Sequence, residues 1–425
     1  MATSELLLLI ALLLHEPLAS VASPGFRVGL THVDSARPFA FTERFHRAVR
    51  RSWHRREVLD AKMSSSRSGI AASVEWGDGE YLIDLAIGTP MLPITAVLDT
   101  GSDLTWTQCG PCFECLPQPS PYYDPSDSST FAVLPCPCPS CTGIPTRCTL
   151  RRCHYNVTYE DGTISLGFLA TEALTFGRNT SVAGFTFGCS TRNTGSLSNS
   201  TGIVGMGRGP LSLPSQLHPS KFSYCLTPFN SSATGHLFLG SMADLGGGFV
   251  HSTPIVLSPN NYSSSSFYYL SLQGISVGHT LLPIPNTTFQ LKADGSGGLI
   301  VDSGSSVTSL EEAGYDILRK ELISLVHLPV ANQTSTGLDL CFSLPPGSSS
   351  PPAMPDMIFH FDGADMTIPP SNYMYSDFEQ GLFCLVITRT TGTSVLGNYQ
   401  QQNLHVLFDL DSDVLSFVPA MCDGL

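Results

Sequence analysis

Charge is scarce in this sequence. Asp, Glu, Lys and Arg make up 13% of its 425 residues, and 38 Gly and 31 Pro punctuate the rest, which excludes a coiled coil or a helical bundle. Basic residues are the scarcer sign, 21 against 35 acidic for a net charge of −14. A general nucleic-acid binder needs a basic face to neutralise phosphates, so that class is set aside. Long apolar runs are missing too. The run Leu6 to Leu14 has nine residues, too few to cross a bilayer, and no later stretch is long enough. The C-terminus has no hydrophobic tail of the lipid-anchor type. No H-E-x-x-H occurs among 12 scattered His, which leaves a metal hydrolase little support.

What remains is a chain too apolar, at 42%, to be disordered and too long for one ordinary core, so two or three folding units are expected. It carries 13 Cys, an odd number and far more than a cytosolic protein of this size usually holds.

The charge is uneven. Residues 1–75 hold 10 basic and 7 acidic groups (+3), and residues 76–425 hold 11 and 28 (−17). The run LLLLIALLL has the length of a signal-peptide h-region, with small residues from Ala19 to Ser23 following it, although Met1 to Glu5 lack Lys and Arg. Residues 1–22 are therefore expected to be a signal peptide, and the protein to enter the secretory pathway without a membrane anchor. TERFHRAVRRSWHRREVL, Thr42 to Leu59, has the pattern of an amphipathic helix with Phe45, Ala48, Val49 and Trp53 on one face. The Ser-rich stretch Ser64 to Gly69 follows as an exposed, cleavable linker. Between a signal peptide and an acidic body, residues 23–72 are expected to be a basic pro-segment. Sequons at Asn156, Asn179, Asn199, Asn230, Asn261, Asn286 and Asn332 fit the same route as glycosylation candidates.

The body has period-2 alternation, as in Phe168 to Phe176, His236 to Leu239 and Tyr268 to Val277, and is expected to be mostly β. One long helix is predicted over Ser309 to Val326, with Ser309 as N-cap, Glu312 as its capping-box partner, and Leu310, Ala313, Ile317 and Leu318 buried.

A repeat carries the chemistry. ITAVLDTGSDLTW (Ile94 to Trp106) and GLIVDSGSSVTSL (Gly298 to Leu310) share an apolar strand, then Asp, Thr or Ser, Gly and Ser, then a second apolar run. Each is followed downstream by two apolar residues and Gly, Ile203-Val204-Gly205 and Val395-Leu396-Gly397. A lone D-[TS]-G is a weak signal and could be an Asx-type turn; two with matching flanks point to two lobes that each supply half a site. An Asp at the end of a buried strand is desolvated, and the following hydroxyl and backbone donors oppose that effect. Two such carboxylates brought together titrate as a coupled pair and can activate a water by general acid–base catalysis.

The chain resembles the pepsin-like aspartic proteases, and among them the plant nepenthesin-like group. The resemblance covers residues 76–425 and is carried by Asp99-Thr100-Gly101-Ser102, Asp302-Ser303-Gly304-Ser305, the string IVGMGRGPLSLPSQL from Ile203 to Leu217, and LGNYQQQN from Leu396 to Asn403. It implies a mostly β, bilobal fold with pseudo-twofold symmetry, an N-terminal lobe over 76–255 with a Cys-rich insertion and flap, and a C-terminal lobe over 256–425. It implies Asp99 and Asp302 as the catalytic dyad, supported by Thr100, Gly101, Ser102, Ser303, Gly304 and Ser305. Ser305 stands where the family often has Thr. Tyr159 becomes the flap tyrosine, with a hairpin turn near Asp161-Gly162, and Trp106 its hydrogen-bonding partner.

On spacing alone, Cys109, Cys112 and Cys115 with Cys136, Cys138 and Cys141 would pass for a zinc ribbon; an oxidising compartment favours disulfides. The resemblance implies the pairs Cys109–Cys112, Cys115–Cys189, Cys136–Cys153, Cys141–Cys148, Cys225–Cys422 and Cys341–Cys384, leaving Cys138 over. No metal or other cofactor is expected. The expected activity is a secreted, monomeric aspartic endopeptidase, made as a zymogen with its pro-segment as intramolecular inhibitor and acting on polypeptides at acidic pH. Its expected place is the apoplast, with the vacuole as the alternative. The rival is a non-catalytic binder on the same fold, of the plant glycosidase-inhibitor type.

Overall fold

The computed structural model describes residues 25–35, 40–50, 52, 80–137, 141, 146–159, 162–177, 180–197, 200–219, 221–258, 266–331 and 336–425. Residues 1–22, the Ser-rich linker, Trp53, Cys138, Asp161, Asn179, Asn199, Asn261 and Asn332 lie outside them.

The architecture is β-rich, as the alternation predicts. The expected strands fall in Ile164–Phe176, Gly235–Leu239, and Tyr268–Leu270 with Leu272–Val277. One continuous sheet joins the two halves of the chain. Tyr81–Ile87 pairs with Phe26–His32, which pairs with Gly235–Leu239 and then Lys221–Cys225. Lys221–Cys225 pairs with Leu404–Asp409, which pairs with Val414–Pro419 and then His251–Val256. The first half thus supplies strands next to the last residues of the second, and rings from both meet there. Phe222 stacks on Phe408 at 4.5 Å, and Tyr268 meets Phe408 edge-on at 4.6 Å, an arrangement that adds to the burial of the rings. The disulfide Cys225–Cys422 ties the C-terminal turn to this sheet.

The long helix spans Glu312–Leu325, starting later than its sequence pattern predicts. Ser309 is not its cap; it lies in the strand Thr308–Glu311, opposite Thr388 and Val395. Glu311 caps instead, its carboxylate accepting from the Ala313 N–H at 2.9 Å. Leu318 is buried as expected and Leu310 is buried in the strand, whereas Ala313 is exposed and Ile317 half-buried. Sheet pairing claims the residues that local capping rules assign to a helix start.

Residues 41–50 are helical, and Phe45, Ala48 and Val49 are buried in the main core, as their spacing predicts. The Phe45 ring stacks on Tyr375 at 3.6 Å and meets Tyr399 at 5.6 Å. Arg47 pairs with Asp34 at 3.3 Å.

Candidate active site

Each repeated Asp sits at the end of a strand held the same way. Leu92–Asp99 runs parallel to Gly202–Gly205, with Gly205 opposite Asp99. Leu299–Val301, just before Asp302, runs parallel to Ser394–Leu396, with Leu396 opposite Val301. Both companion strands also pair antiparallel with the run after the Asp loop, Ile203 with Trp106 and Val395 with Ser309. The loop is therefore wrapped around its companion, and the downstream Gly is required where they touch. A Cβ on Gly205 would lie 2.2 Å from the Asp103 carbonyl carbon, and one on Gly397 2.6 Å from that of Val307. No side chain fits at either place.

The two carboxylates are 1% and 0% exposed and receive matched donors. Asp99 accepts from the Gly101 N–H at 3.1 Å and from the Ser102 hydroxyl. Asp302 accepts from the Gly304 N–H at 3.0 Å and the Ser305 hydroxyl at 2.6 Å. Such bonds stabilise the ionised form against burial. The loops are also bolted to each other. The Thr100 N–H donates to Ser303 Oγ at 3.1 Å, and the Ser303 N–H to Thr100 Oγ1 at 2.9 Å. The hydroxyls then donate across the interface, Thr100 to the Val301 carbonyl at 3.2 Å and Ser303 to the Leu98 carbonyl at 2.9 Å. All eight expected dyad and loop residues come together.

Tyr159 directly follows the strand Arg152–Thr158, whose hairpin with Ile164–Phe176 closes through the Tyr159 N–H to the Thr163 carbonyl at 2.7 Å. Gly162 takes a positive φ of 81° in the turn, a conformation glycine adopts without strain. Trp106 Nε1 donates to the Tyr159 hydroxyl at 2.5 Å, joining hairpin and first Asp loop as expected.

Several supporting residues escape a sequence reading. Asp103 is buried and accepts from the Gly209 N–H at 2.8 Å and from the Ser266 hydroxyl. In the second half, Asn398 Nδ2 donates to the Ser303 carbonyl at 2.9 Å. Gln401 Nε2 donates to the Leu396 carbonyl at 2.9 Å, and its Oε1 accepts from the Tyr224 hydroxyl at 2.5 Å. Burial, aided by the Asp302 charge, pushes the Tyr224 phenol far above its ordinary pKa, so it stays a neutral donor. Gln400 Nε2 donates to the Asn372 and Val386 carbonyls. Consecutive Gln at 400–402, all buried, were the available signal, because buried amides must be paired.

The helix at 41–50 reaches this region. Ser52 Oγ accepts from the Val307 N–H at 2.7 Å, five residues beyond Asp302. His46 Nε2 lies 3.6 Å from Asp377. Burial lowers the His46 pKa; Asp377 opposes that effect and Arg50 adds to it.

Among the described residues twelve cysteines form six disulfides, but the pairing corrects four of the expected bonds. Cys225–Cys422 and Cys341–Cys384 are as expected. Cys109 joins Cys189, not Cys112, because Trp106–Gln108 runs beside Cys189 in a parallel ladder and the Cys109 N–H bonds to the Ser190 carbonyl. Cys112 and Cys115 close on each other across the short loop left between them. Cys136 joins Cys148 and Cys141 joins Cys153. The sulfurs of Cys136, Cys141 and Cys153 lie within 4.8 Å of one another, so chain spacing alone could not choose. The described sequons, Asn156, Asn230 and Asn286, are exposed.

Comparison with known proteins agrees with this geometry. Residues 81–241 match the xylanase inhibitor N-terminal family and residues 267–419 the xylanase inhibitor C-terminal family. The chain is 44% identical to aspartic proteinase nepenthesin-1 of Nepenthes gracilis, over 94% of this chain and 90% of that one. It is 41% identical to nepenthesin-2 of the same plant over the same shares, and 35% identical to aspartyl protease 37 of Oryza sativa subsp. japonica over 100% of both. Among solved structures, edgp superposes with a TM-score of 0.68 at 18% identity, covering 95% of this chain and 96% of that chain. Basic 7S globulin from soybean gives 0.64 at 17%, covering 93% and 97%; both show the fold alone. With two matched Asp loops on a pepsin-like fold and this degree of identity along nearly its whole length, the chain belongs to the nepenthesin-like plant aspartic proteinases and is a peptidase.

Proposed function

We propose that this peptidase is a secreted aspartic endopeptidase, made as a zymogen, in which Asp99 and Asp302 share one proton and activate a water between them. The ionised carboxylate takes a proton from that water while the protonated one donates to the peptide carbonyl oxygen. Neither a metal nor a covalent intermediate is needed. Reciprocal bonding of Thr100 and Ser303 supports this reading most, because it holds two equally equipped carboxylate loops back to back. Tyr159, braced by Trp106, closes over an extended polypeptide from the flap side.

The basic segment 23–72 acts as the inhibitor in this reading. In its favour, the helix at 41–50 docks on Tyr375 and Tyr399 and the chain at Ser52 touches the loop after Asp302. Acid release then follows from loss of charge on the acidic body and gain of charge on His46. The mature enzyme works as a soluble monomer in the apoplast or vacuole. Full-length protein held at about pH 3–4 is expected to shorten at its N-terminus and to cleave a denatured protein; no shortening and no cleavage overturns the reading. A non-catalytic binder is the second reading, favoured by the xylanase-inhibitor description of the matching families. Loss of cleavage in both Asp99→Asn and Asp302→Asn, and inhibition by a statine peptide, separates the two.

A further inference from the structure

A cavity of about 520 Å³ opens beside the hairpin of Arg152–Thr158 and Ile164–Phe176, with no residue of either Asp loop in its lining. Arg147, His154, Asn156, Leu166 and Thr191 are among its lining residues, so it crosses several neighbouring strands. The outward positions of the strand Ile164–Phe176 are apolar where it passes, with Ile164, Leu166 and Phe168 each half-buried. On an antiparallel sheet with one face in water these positions are normally polar.

Phe168 already has a cover. The Arg152 guanidinium lies 5.4 Å from its ring centroid, and the His154 ring meets it edge-on at 6.4 Å. Leu166 and Ile164 have different neighbours. Directly across from Leu166 is Asn156, and directly across from Ile164 is Thr158. These are the acceptor Asn and the hydroxyl residue of the sequon Asn156-Val157-Thr158, and both are exposed.

We propose that Asn156 carries an N-linked oligosaccharide whose first sugars seat in this cavity over Leu166 and extend along the row to Ile164 beside it, stiffening the base of the flap. A sugar ring has an apolar face suited to the two aliphatic side chains and hydroxyls that Arg147 and His154 can bond. Covering a half-exposed apolar row removes its surface from water. The same two strands lead into Tyr159 and the turn at Gly162, so a cover on one face restrains the hairpin proposed above to close over the substrate. The inference rests on the secretory route proposed above.

Glycopeptide mass spectrometry of protein secreted from a eukaryotic host tests occupancy, with Asn230 and Asn286 as internal controls. The expected result is a glycan on Asn156. Removing it by Asn156→Gln or Thr158→Ala, or trimming the folded protein with an endoglycosidase that leaves one sugar, separates its effects. The two variants should bind a hydrophobic dye more strongly and exchange the amides of Tyr159 and Thr163 roughly threefold faster or more, while the trimmed protein keeps most of its protection. A bare Asn156 alongside occupied Asn230 or Asn286 overturns the inference and leaves secretion standing. So do an occupied Asn156 whose loss changes neither readout, and a trimmed protein that behaves as the variants do. A chain with none of the three occupied likewise overturns the inference, whereas a chain that stays inside the host cell when expressed with its own residues 1–22 overturns the secretory route, and the inference with it.

Discussion

The backbone N–H of Thr100 binds the hydroxyl of Ser303, and the backbone N–H of Ser303 binds the hydroxyl of Thr100. Residues more than two hundred positions apart thus trade the same bond in both directions, and both are fully buried. Thr100→Val removes a hydroxyl and leaves the Ser303 N–H unpaired. The expected cost is about 1–3 kcal/mol of stability, read by denaturant unfolding, together with a loss of kcat that Thr100→Ser largely restores.

Asp99→Asn and Asp302→Asn should each lower kcat/KM by at least about a thousandfold while folding normally, since each removes one half of a shared acid–base pair. Retained cleavage in both single variants sinks the dyad assignment. The double variant should be no worse than the singles, because the two act as one unit.

Trp106→Phe deletes the donor to the Tyr159 hydroxyl but keeps an aromatic ring. A neutral hydrogen bond contributes about 1 kcal/mol, so kcat/KM should fall roughly fivefold to tenfold. Tyr159→Phe should produce a similar loss, and the double variant much less than the product of the two, as a double-mutant cycle requires for partners.

His46 and His405 give the pH dependence its sign. Burial holds both below the ordinary histidine pKa, with Asp377 opposing at His46 and Asp244 at His405. Their folded states therefore bind fewer protons than the unfolded chain below about pH 6.5, and the stability present above that value is lost as pH falls toward the depressed folded pKa. His46→Gln should keep the helix at 41–50 docked to lower pH, read as a later onset of N-terminal shortening. His405→Gln can still bond Ser223, which His405 now meets at 2.9 Å, and should flatten the fall of Tm between neutral and acid pH.

Cys225→Ser with Cys422→Ser frees the C-terminal turn from the sheet that joins the two halves. A loss of about 2–5 kcal/mol is expected, read as a lower denaturant midpoint, with the other disulfides intact by mass mapping.

Much of this was legible from residue order. Period-2 alternation marks strands because side chains alternate faces, and it found Phe168 to Phe176 and Tyr268 to Val277. The twin D-T-G-S and D-S-G-S motifs carried the site because the turn chemistry of each is local. The buried face Phe45, Ala48 and Val49 followed from helical spacing. Capping at Ser309 did not survive, since a strand partner from residues 387–390 outcompetes a local cap.

The sequence by itself determined the family, the β-rich plan and the paired Asp loops, because each of these is written in short stretches of neighbouring residues. The tertiary structure alone decided what depends on distant chain segments meeting. The parallel run of Trp106–Gln108 beside Cys189 sets the Cys109 bond. Burial turns Asp103, Gln400 and Gln401 into struts of the site. The register that puts Asn156 and Thr158 across from Leu166 and Ile164 gives a common sequon a place to act. Partners across a ladder are chosen by the folded register, and no reading along the chain contains it.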